Sequence, residues 1–290
     1  MKTASVLILI NALLLLRHLV GASIWMKGGI TLFSFGLIII VTAIWVSIYT
    51  RFEGNFVRDE GASFSAFKSD YIKETLFMPR LGALPQVGFT FHKISVQAND
   101  ELTKLVKLSA DVSHAGRTVD GIVERTIDSE NLLISDWTLI SFVDFGYSTR
   151  LVLHDFTEKE IEKQKIYMKL FPAGAEERAE GMYLGYSFYI KLYPDYIDND
   201  GMPGTRSLYP ENPMLNLRIV RNKDIVFDGL VEPGGKVKFD NIIVQFPEVK
   251  MCVEMRFVRD YGLPIVAVSI PFFFIAISML LLGRKRARMA

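Results

Sequence analysis

Four histidines and one cysteine are the side chains of this chain best suited to bind a metal or haem, or to move a proton. They share no spacing typical of metal ligands, and the carboxylates lie mostly in turns, where they form no identifiable acid–base pair. The chain also lacks a nucleophile elbow, a phosphate-binding glycine loop, a paired-cysteine motif and the Cys-x-x-Cys-His sequence that attaches haem. We therefore expect no catalytic residue, no metal site and no enzymatic activity. The five side chains are His18, His92, His114, His154 and Cys252.

His18 is the one candidate for a cofactor ligand, and it follows Arg17 after an apolar run. A basic pair at the end of a helix usually fixes the orientation of a membrane span. The alternative is that His18 binds haem iron or carries a proton at the cytoplasmic surface. His92 and His154 lie in strand-like runs, where a hydrogen-bonded structural role is more common. Cys252 has the neighbours of a packed small residue.

The apolar residues are concentrated at the two ends of the chain. Half of the 290 residues (50%) are hydrophobic, and their proportion is highest in the first fifty and the last thirty positions. The net charge of +1 gives no argument for a nucleic-acid partner. The middle, about 210 residues, is long enough for a domain with its own core. That domain must be stable without an intramolecular disulfide, because the chain has a single cysteine.

Two uncharged runs have the length of a membrane span. Residues 263–282 are followed directly by the basic sequence RKRAR at 284–288. Twenty helical residues extend about 30 Å, the thickness of the hydrocarbon layer of a bilayer. Residues 28–49 form the second run, with Trp45 and Tyr49 near its end, where aromatic side chains favour the interface. Because basic clusters stay in the cytoplasm, the last span must run inward and residues 50–260 must lie outside.

The first segment, residues 4–26, has two interpretations. It is either a membrane helix whose Arg17 reaches the cytoplasmic surface or a secretory signal peptide cleaved after Ala22. Cleavage would reverse the orientation and leave the C-terminal arginines outside, so the charge distribution favours a span with the N-terminus outside. Six basic residues then anchor the spans on the cytoplasmic side: Arg17, Lys27, Arg284, Lys285, Arg286 and Arg288.

Between the spans the sequence has the periodicity of β-strands. Runs rich in β-branched and aromatic residues are separated by turn-forming sequences such as DNDGMPG at 198–204 and EPGG at 232–235. The charged sequence EKEIEKQK at 158–165 is expected to be a solvated helix or loop. The predicted strands are residues 87–96, 137–143, 149–155, 182–192, 214–220, 237–246 and 251–258.

These patterns predict a membrane protein with about three transmembrane helices and a large extracytoplasmic, mainly β domain. The two N-terminal helices occupy residues 1–49 (about 4–26 and 28–49) and the β-rich domain occupies residues 50–260. The last helix and its basic tail occupy residues 261–290.

Three short sequences, together with this layout, resemble the ResB (CcsB-type) family of cytochrome c biogenesis membrane proteins. Residues 25–37 (WMKGGITLFSFGL) lead into a span and are similar to the start of the family's third membrane helix. Residues 52–61 (FEGNFVRDEG) resemble the exit from that helix, and residues 256–265 (RFVRDYGLPI) resemble the Asp-Pro-Gly sequence before the last one. The resemblance places the chain in a bacterial cytoplasmic membrane, as a short and divergent multi-pass member.

The chain departs from the family in two ways. Family members usually carry one more N-terminal helix, so this chain corresponds to the family from its second helix onward. Haem-handling forms also place a histidine where this chain has Ser34. A serine hydroxyl cannot replace an imidazole as an axial ligand of haem iron.

The resemblance implies a non-catalytic membrane subunit that works with a ResC (CcsA-type) partner in haem delivery and apocytochrome handling. Haem as a cofactor stays open, because the family role implies it and Ser34 removes the expected ligand. The alternative function is a structural or docking subunit of a membrane electron-transfer complex that holds an extracytoplasmic cytochrome. Either function implies membrane lipid and a c-type cytochrome as partners, and no nucleic acid.

Overall fold

The computed structural model describes residues 24–99, 102, 104–116, 122–131, 133–169, 176–179 and 185–289. In this part of the chain the structure is mostly β-sheet, with one long apolar helix towards each end. The chain divides into two compact units. The first contains both helices and the segment Leu76–Pro85, and the second contains Gly54–Thr75 and Gln86–Phe257.

The two helices have the length and composition needed to cross a membrane. Helix α1 is Ile24–Thr50 and helix α2 is Gly262–Met289; their apolar portions are Met26–Thr50 (25 residues) and Gly262–Arg284 (23 residues). In the most apolar window of each helix only 22% and 11% of the residues are buried. A helix in the core of a soluble protein would be mostly buried, so these two helices present apolar surface outward.

Most of the first predicted span, residues 4–26, lies outside the described residues, which begin at residue 24. Its last three residues belong to α1, which therefore begins before the predicted start at residue 28. Lys27, which separates the two predicted N-terminal spans in sequence, lies inside α1, and the helix runs through this residue without interruption. The glycine that follows, Gly28, faces Met279 of α2, and packing against a second helix favours a continuous helix here.

The described residues form seventeen strands in four sheets. The largest sheet has the order β1-β17-β7-β16-β15, and β6 and β8 also pair with β7. The others are β14-β13-β10-β9, β2-β3-β4-β5 and β11-β12. The strands are β1 Phe52–Asp59, β2 Ser63–Phe64, β3 Val87–Ala98, β4 Leu105–Gly116, β5 Val123–Asp128, β6 Leu133–Ser135, β7 Thr138–Asp155, β8 Glu160–Met168, β9 Glu177–Ala179, β10 Tyr186–Tyr193, β11 Tyr196–Asn199, β12 Met202–Thr205, β13 Met214–Arg221, β14 Asp224–Val231, β15 Lys236–Phe239, β16 Ile242–Gln245 and β17 Val249–Arg259.

Two sequence interpretations of this region are corrected. The charged run 158–165, expected to be a helix or loop, is mostly strand β8, which pairs antiparallel with the long strand β7. Most of its charged side chains are exposed, while Ile166 and Met168 are buried. The predicted single strand at 237–246 is a hairpin of β15 and β16, because the chain turns at Asp240, whose φ is 44°.

An aromatic cluster forms part of the core of the β unit. Phe56 stacks on Phe64 with 3.8 Å between ring centroids, and Phe257 packs edge-on against Phe56 at 4.9 Å. Tyr71 contacts Phe64 at 5.3 Å. These rings come from β1, β2, β17 and the turn after β2, so burial of this cluster joins segments that are distant in sequence.

Candidate functional site

The two helices pack closely as an antiparallel pair. Near one end, a Cβ placed on Gly29 would lie 2.8 Å from Cγ of Leu280. Near the other, a Cβ on Gly262 would lie only 2.4 Å from the carbonyl oxygen of Ala43. Small residues at such positions let two helix backbones approach, as they do in membrane helix pairs.

The two ends of the antiparallel pair differ: one adjoins the β strands in sequence and the other carries basic residues. Thr50 and Gly262, which lead into the β strands, lie at one end. Lys27 and the exposed Arg284 belong to the opposite end. Both chain connections to the β unit therefore leave the helix pair at the end that is distant from the basic tail.

A polar contact closes the end of the pair that leads to the β strands. The hydroxyl of Ser47 on α1 donates to Oδ2 of Asp260 at 2.6 Å. The other oxygen of this carboxylate, Oδ1, accepts from the backbone N–H of Gly262 at 2.8 Å. Asp260 therefore satisfies a free N–H in the first turn of α2 and links this turn to α1.

Several hydroxyls on the helices bond to the backbone of their own helix. Thr31, Thr42 and Ser278 each donate to the carbonyl oxygen four residues earlier, and each bond is 2.9 Å long. A hydroxyl bonded in this way needs no water, which suits an apolar surrounding.

Ser34, which stands where the resemblance predicts a histidine, is 3% exposed. The next small residue, Gly36, meets the ring of Phe273, which would lie 3.0 Å from an added Cβ. The described residues of α1 and α2 include no histidine and no cysteine. A serine hydroxyl is not an axial ligand of haem iron, so Ser34 itself would not hold the group.

A polar cleft of about 280 Å³ lies in the β unit. The side chain of Asp59 accepts from the Ser148 hydroxyl at 2.7 Å and forms an ion pair with Lys165. Hydroxyls, three cations and two carboxylates line the cleft, which suggests a polar or ionic ligand rather than an apolar one. The lining residues are Asp59, Ser148, Thr149, Arg150, Lys165, Glu248 and Lys250.

The second carboxylate of the cleft, Glu248, contacts two cations. It pairs with Lys250 at 3.1 Å and with Arg150 at 3.1 Å. The hydrogen bond from Lys250 is the largest of the effects that lower the pKa of Glu248, and the bond from Arg150 adds to it. Glu248 therefore stays ionised at neutral pH and is a poor general acid. The cleft has the chemistry of an ion-pairing surface.

His114 is a structural histidine. Its Nε2 lies 2.8 Å from the hydroxyl of Ser135, and its ring stacks on Phe89 with 5.2 Å between centroids. The side chain is buried, and its Nδ1 has no hydrogen-bond partner. Burial, and then the charge of Arg125, lower the pKa of His114, so the neutral imidazole is favoured.

The other described histidines bond to separate neighbours. Nε2 of His92 lies 2.5 Å from the Ser113 hydroxyl, and Nδ1 of His154 lies 3.2 Å from the carbonyl oxygen of Glu158. His92 also borders a second cleft, of about 400 Å³, on the sheet of β3, β4 and β5. Across the described ranges, no three His, Cys, Asp or Glu side chains form a group that could hold a metal ion.

Cys252 is buried, as its sequence neighbours predicted. Burial is the main cause that raises the pKa of its thiol to about 12, and the charge of Asp59 adds to the shift. A protonated thiol without access to solvent is inert toward oxidants and electrophiles at neutral pH.

The predicted topology anchors fall in three places. Arg17, with the candidate ligand His18, lies outside the described residues. Lys27 is part of α1, and Arg284 is exposed on α2. The backbone of α2 continues as a helix through the remaining three: Lys285, Arg286 and Arg288.

The polar cleft was not found from the sequence. Asp59 and Lys165 are 106 positions apart, and Glu248 is a further 83 away. No local motif connects these residues, because strand pairing alone brings them together. Comparison with known proteins finds no matching family model and no match among curated proteins.

Proposed function

We propose that α1 and α2 cross a membrane as an antiparallel pair and hold the β unit at its outer surface. The observation that carries this proposal is the outward-facing apolar surface of two helices, each long enough to span the hydrocarbon layer of a bilayer. Phe35, Ile44, Phe274 and Leu281 are between 50% and 69% exposed. A soluble monomer rarely exposes so much continuous apolar surface, whereas lipid would cover it.

The orientation follows from the charges at the two ends of the pair. Lys27 and Arg284 belong to the end with the basic tail, which the positive-inside rule assigns to the cytoplasm. The opposite end leads into the β strands, so the β unit is proposed to be extracytoplasmic. In a bacterial cell this membrane would be the cytoplasmic one.

Labelling of single cysteines in intact cells tests this orientation. A membrane-impermeant maleimide should label Ile225→Cys, at a position that is 61% exposed, without permeabilisation. It should label Arg288→Cys only after permeabilisation. The buried Cys252 gives little background, which the unmodified chain measures. The reverse pattern would overturn the orientation and the functions that depend on it.

We further propose that the chain is a ResB-like, non-catalytic subunit in the assembly of c-type cytochromes, working with a ResC-type partner. Two of the sequences that resemble the family have clear structural roles here, which supports the proposal. The sequence at 52–61 contributes Phe56 to the aromatic core. The sequence at 256–265 contributes Asp260 and Gly262, which begin α2 and bring it against α1.

In this role the chain acts through its shape and not through haem ligation. The helix pair would dock against the membrane helices of the partner, and the β unit would lie beside the apocytochrome. Ser34 provides no ligand to iron, so haem binding is left to the partner. Ser34→Ala is therefore expected to preserve function fully.

Loss of the chain provides the test of this function. Cells without it should contain less covalent haem in their c-type cytochromes, as measured by haem staining of separated membrane proteins. Both the unmodified chain and Ser34→Ala should restore the stain. Normal cytochrome maturation in the deletion strain would contradict the biogenesis role.

A docking subunit of an electron-transfer complex is the second candidate. It is favoured by the hairpin of β6 and β7, whose tip exposes Trp137 at 65% and whose first strand exposes Ile134 at 71%. Exposed tryptophan is a frequent anchor of protein interfaces. Stable co-purification with respiratory subunits, reduced by Trp137→Ala, would support docking. Co-purification with a ResC-type protein would support biogenesis.

A further inference from the structure

The segment Leu76–Pro85 belongs to the helix unit, although it lies between β2 and β3 in sequence. Its backbone is fixed to the end of α1. The N–H of Leu81 donates to the carbonyl oxygen of Tyr49 at 2.8 Å. Phe77 and Glu53 exchange two backbone hydrogen bonds of 2.7 and 3.1 Å. The segment is therefore held at the end of the helix pair that leads to the β strands.

Arg259, just before α2, holds the other half of the segment. Its Nη2 donates to the carbonyl oxygen of Ala83, and the residue is only 4% exposed. Its guanidinium also lies 5.3 Å from the ring centroid of Tyr261. Contacts to both helix ends thus define the position of the segment.

Several apolar side chains of this fixed segment are exposed on its surface. Leu81 is 61% exposed, Phe77 53% and Met78 38%. The segment contains no acidic residue, and Arg80 is its only charged side chain. The guanidinium of Arg80 lies 5.8 Å from the ring centroid of Tyr49.

The attachment point sets the depth of the segment relative to a bilayer. Tyr49 stacks on Trp45 with 5.7 Å between ring centroids, close to the end of α1. Tyrosine and tryptophan at the end of a span favour the headgroup layer. A segment hydrogen-bonded to Tyr49 therefore lies at this depth if α1 crosses the membrane.

We propose that Leu76–Pro85 is an interfacial element that inserts Phe77, Met78 and Leu81 into the outer headgroup layer of the same membrane. This inference rests on the proposed membrane crossing of α1 and α2. Arg80 reaches the lipid phosphates, as long basic side chains do at membrane surfaces. Lipid is the occupant that the structure favours, because the exposed apolar side chains are fixed beside the interfacial aromatic residues of α1.

Spin labels on the full-length protein test the proposal. The protein would be reconstituted in nanodiscs of phosphatidylethanolamine and phosphatidylglycerol, and the collision rates of each label with oxygen and with a water-soluble nickel complex measured. The test position is Leu81→Cys. Ile38→Cys, at the middle of α1, is the lipid reference, and Ile225→Cys, as exposed as Leu81 at 61%, is the water reference.

The label at residue 81 should report a depth between the two references, within about 5–10 Å of the headgroup boundary. A label at 81 that resembles the one at 225, while the label at 38 reports lipid, would refute the inference and leave the membrane crossing intact. A label at 38 that reports water would refute the crossing itself. A label at 81 that neither reagent reaches would show a protein occupant and also overturn the inference.

Discussion

The close contact of α1 and α2 can be tested by adding a single methyl group at two glycines. Gly262 and Gly28 lie at opposite ends of the pair, and both face the other helix. A methyl on Gly262 would lie 2.4 Å from the carbonyl oxygen of Ala43, a backbone atom. A methyl on Gly28 would lie 2.5 Å from Cε of Met279, the end of a flexible side chain. The distances are alike, but only the second neighbour can move away.

For this reason the two substitutions are expected to change the free energy of unfolding differently. Gly262→Ala forces the two backbones apart, and overpacking of this kind costs about 1–3 kcal/mol. Gly28→Ala displaces only the methionine methyl and gains up to about 1 kcal/mol of helix propensity. At about 2–4 °C per kcal/mol for a chain of this size, Gly262→Ala should lower the unfolding temperature by roughly 2–12 °C.

Thermal unfolding of the purified protein in detergent, followed by circular dichroism at 222 nm, measures the difference. Gly28→Ala should unfold at or slightly above the temperature of the unmodified protein. Equal shifts for the two variants, or a higher unfolding temperature for Gly262→Ala, would refute the packing described for this helix pair.

Three further predictions concern the β unit. Phe56→Ala should destabilise it by about 3–5 kcal/mol in urea unfolding, whereas Phe156→Ala, at a ring that is 76% exposed, should change stability by less than about 0.5 kcal/mol. Because the folded-state pKa of His114 is lowered, the unfolded chain binds more protons, so stability should fall as the pH drops below about 6.5. His114→Gln should reduce this slope, and an unchanged slope would contradict the assignment. Cys252 should react with a maleimide at pH 7.5 only after unfolding, and rapid reaction of the folded protein would contradict its burial.

The two helices could be predicted because their signal is local. Uninterrupted apolar runs of bilayer length and a flanking basic cluster are visible without knowledge of any contact. The start of α1 could not be predicted in the same way. Lys27 looks like the end of a span, but the packing of Gly28 against α2 favours a helix through this position.

The β-rich character was predictable from alternation and turn residues, while individual strands were less so. Strand β8 carries charged side chains along its exposed positions, and its pairing with β7 is not visible in its own composition. The turn at Asp240 divides the run 237–246, which the sequence pattern predicts to be a single strand. In both places the chain forms a hairpin of two consecutive strands, and the composition of either strand alone does not show this pairing.

The candidate sites were the least predictable features. The cleft around Asp59 and Glu248 depends on the order of strands in the largest sheet, which alternation does not determine. The segment Leu76–Pro85 resembles an ordinary apolar loop until its hydrogen bond to Tyr49 is known. Sequence patterns indicate which residues prefer to be buried, and they do not indicate which remote residues meet.

The pairing of α1 with α2 imposes an order on biosynthesis. A ribosome delivers α1 first and must add about 210 residues before α2 follows. Throughout that interval the glycine-lined face of α1 lacks the helix that it contacts in the folded protein. The pair can form only after α2 has been synthesised, so a product truncated before Gly262 would carry α1 without this partner, and quality-control proteases of the membrane can recognise such a helix.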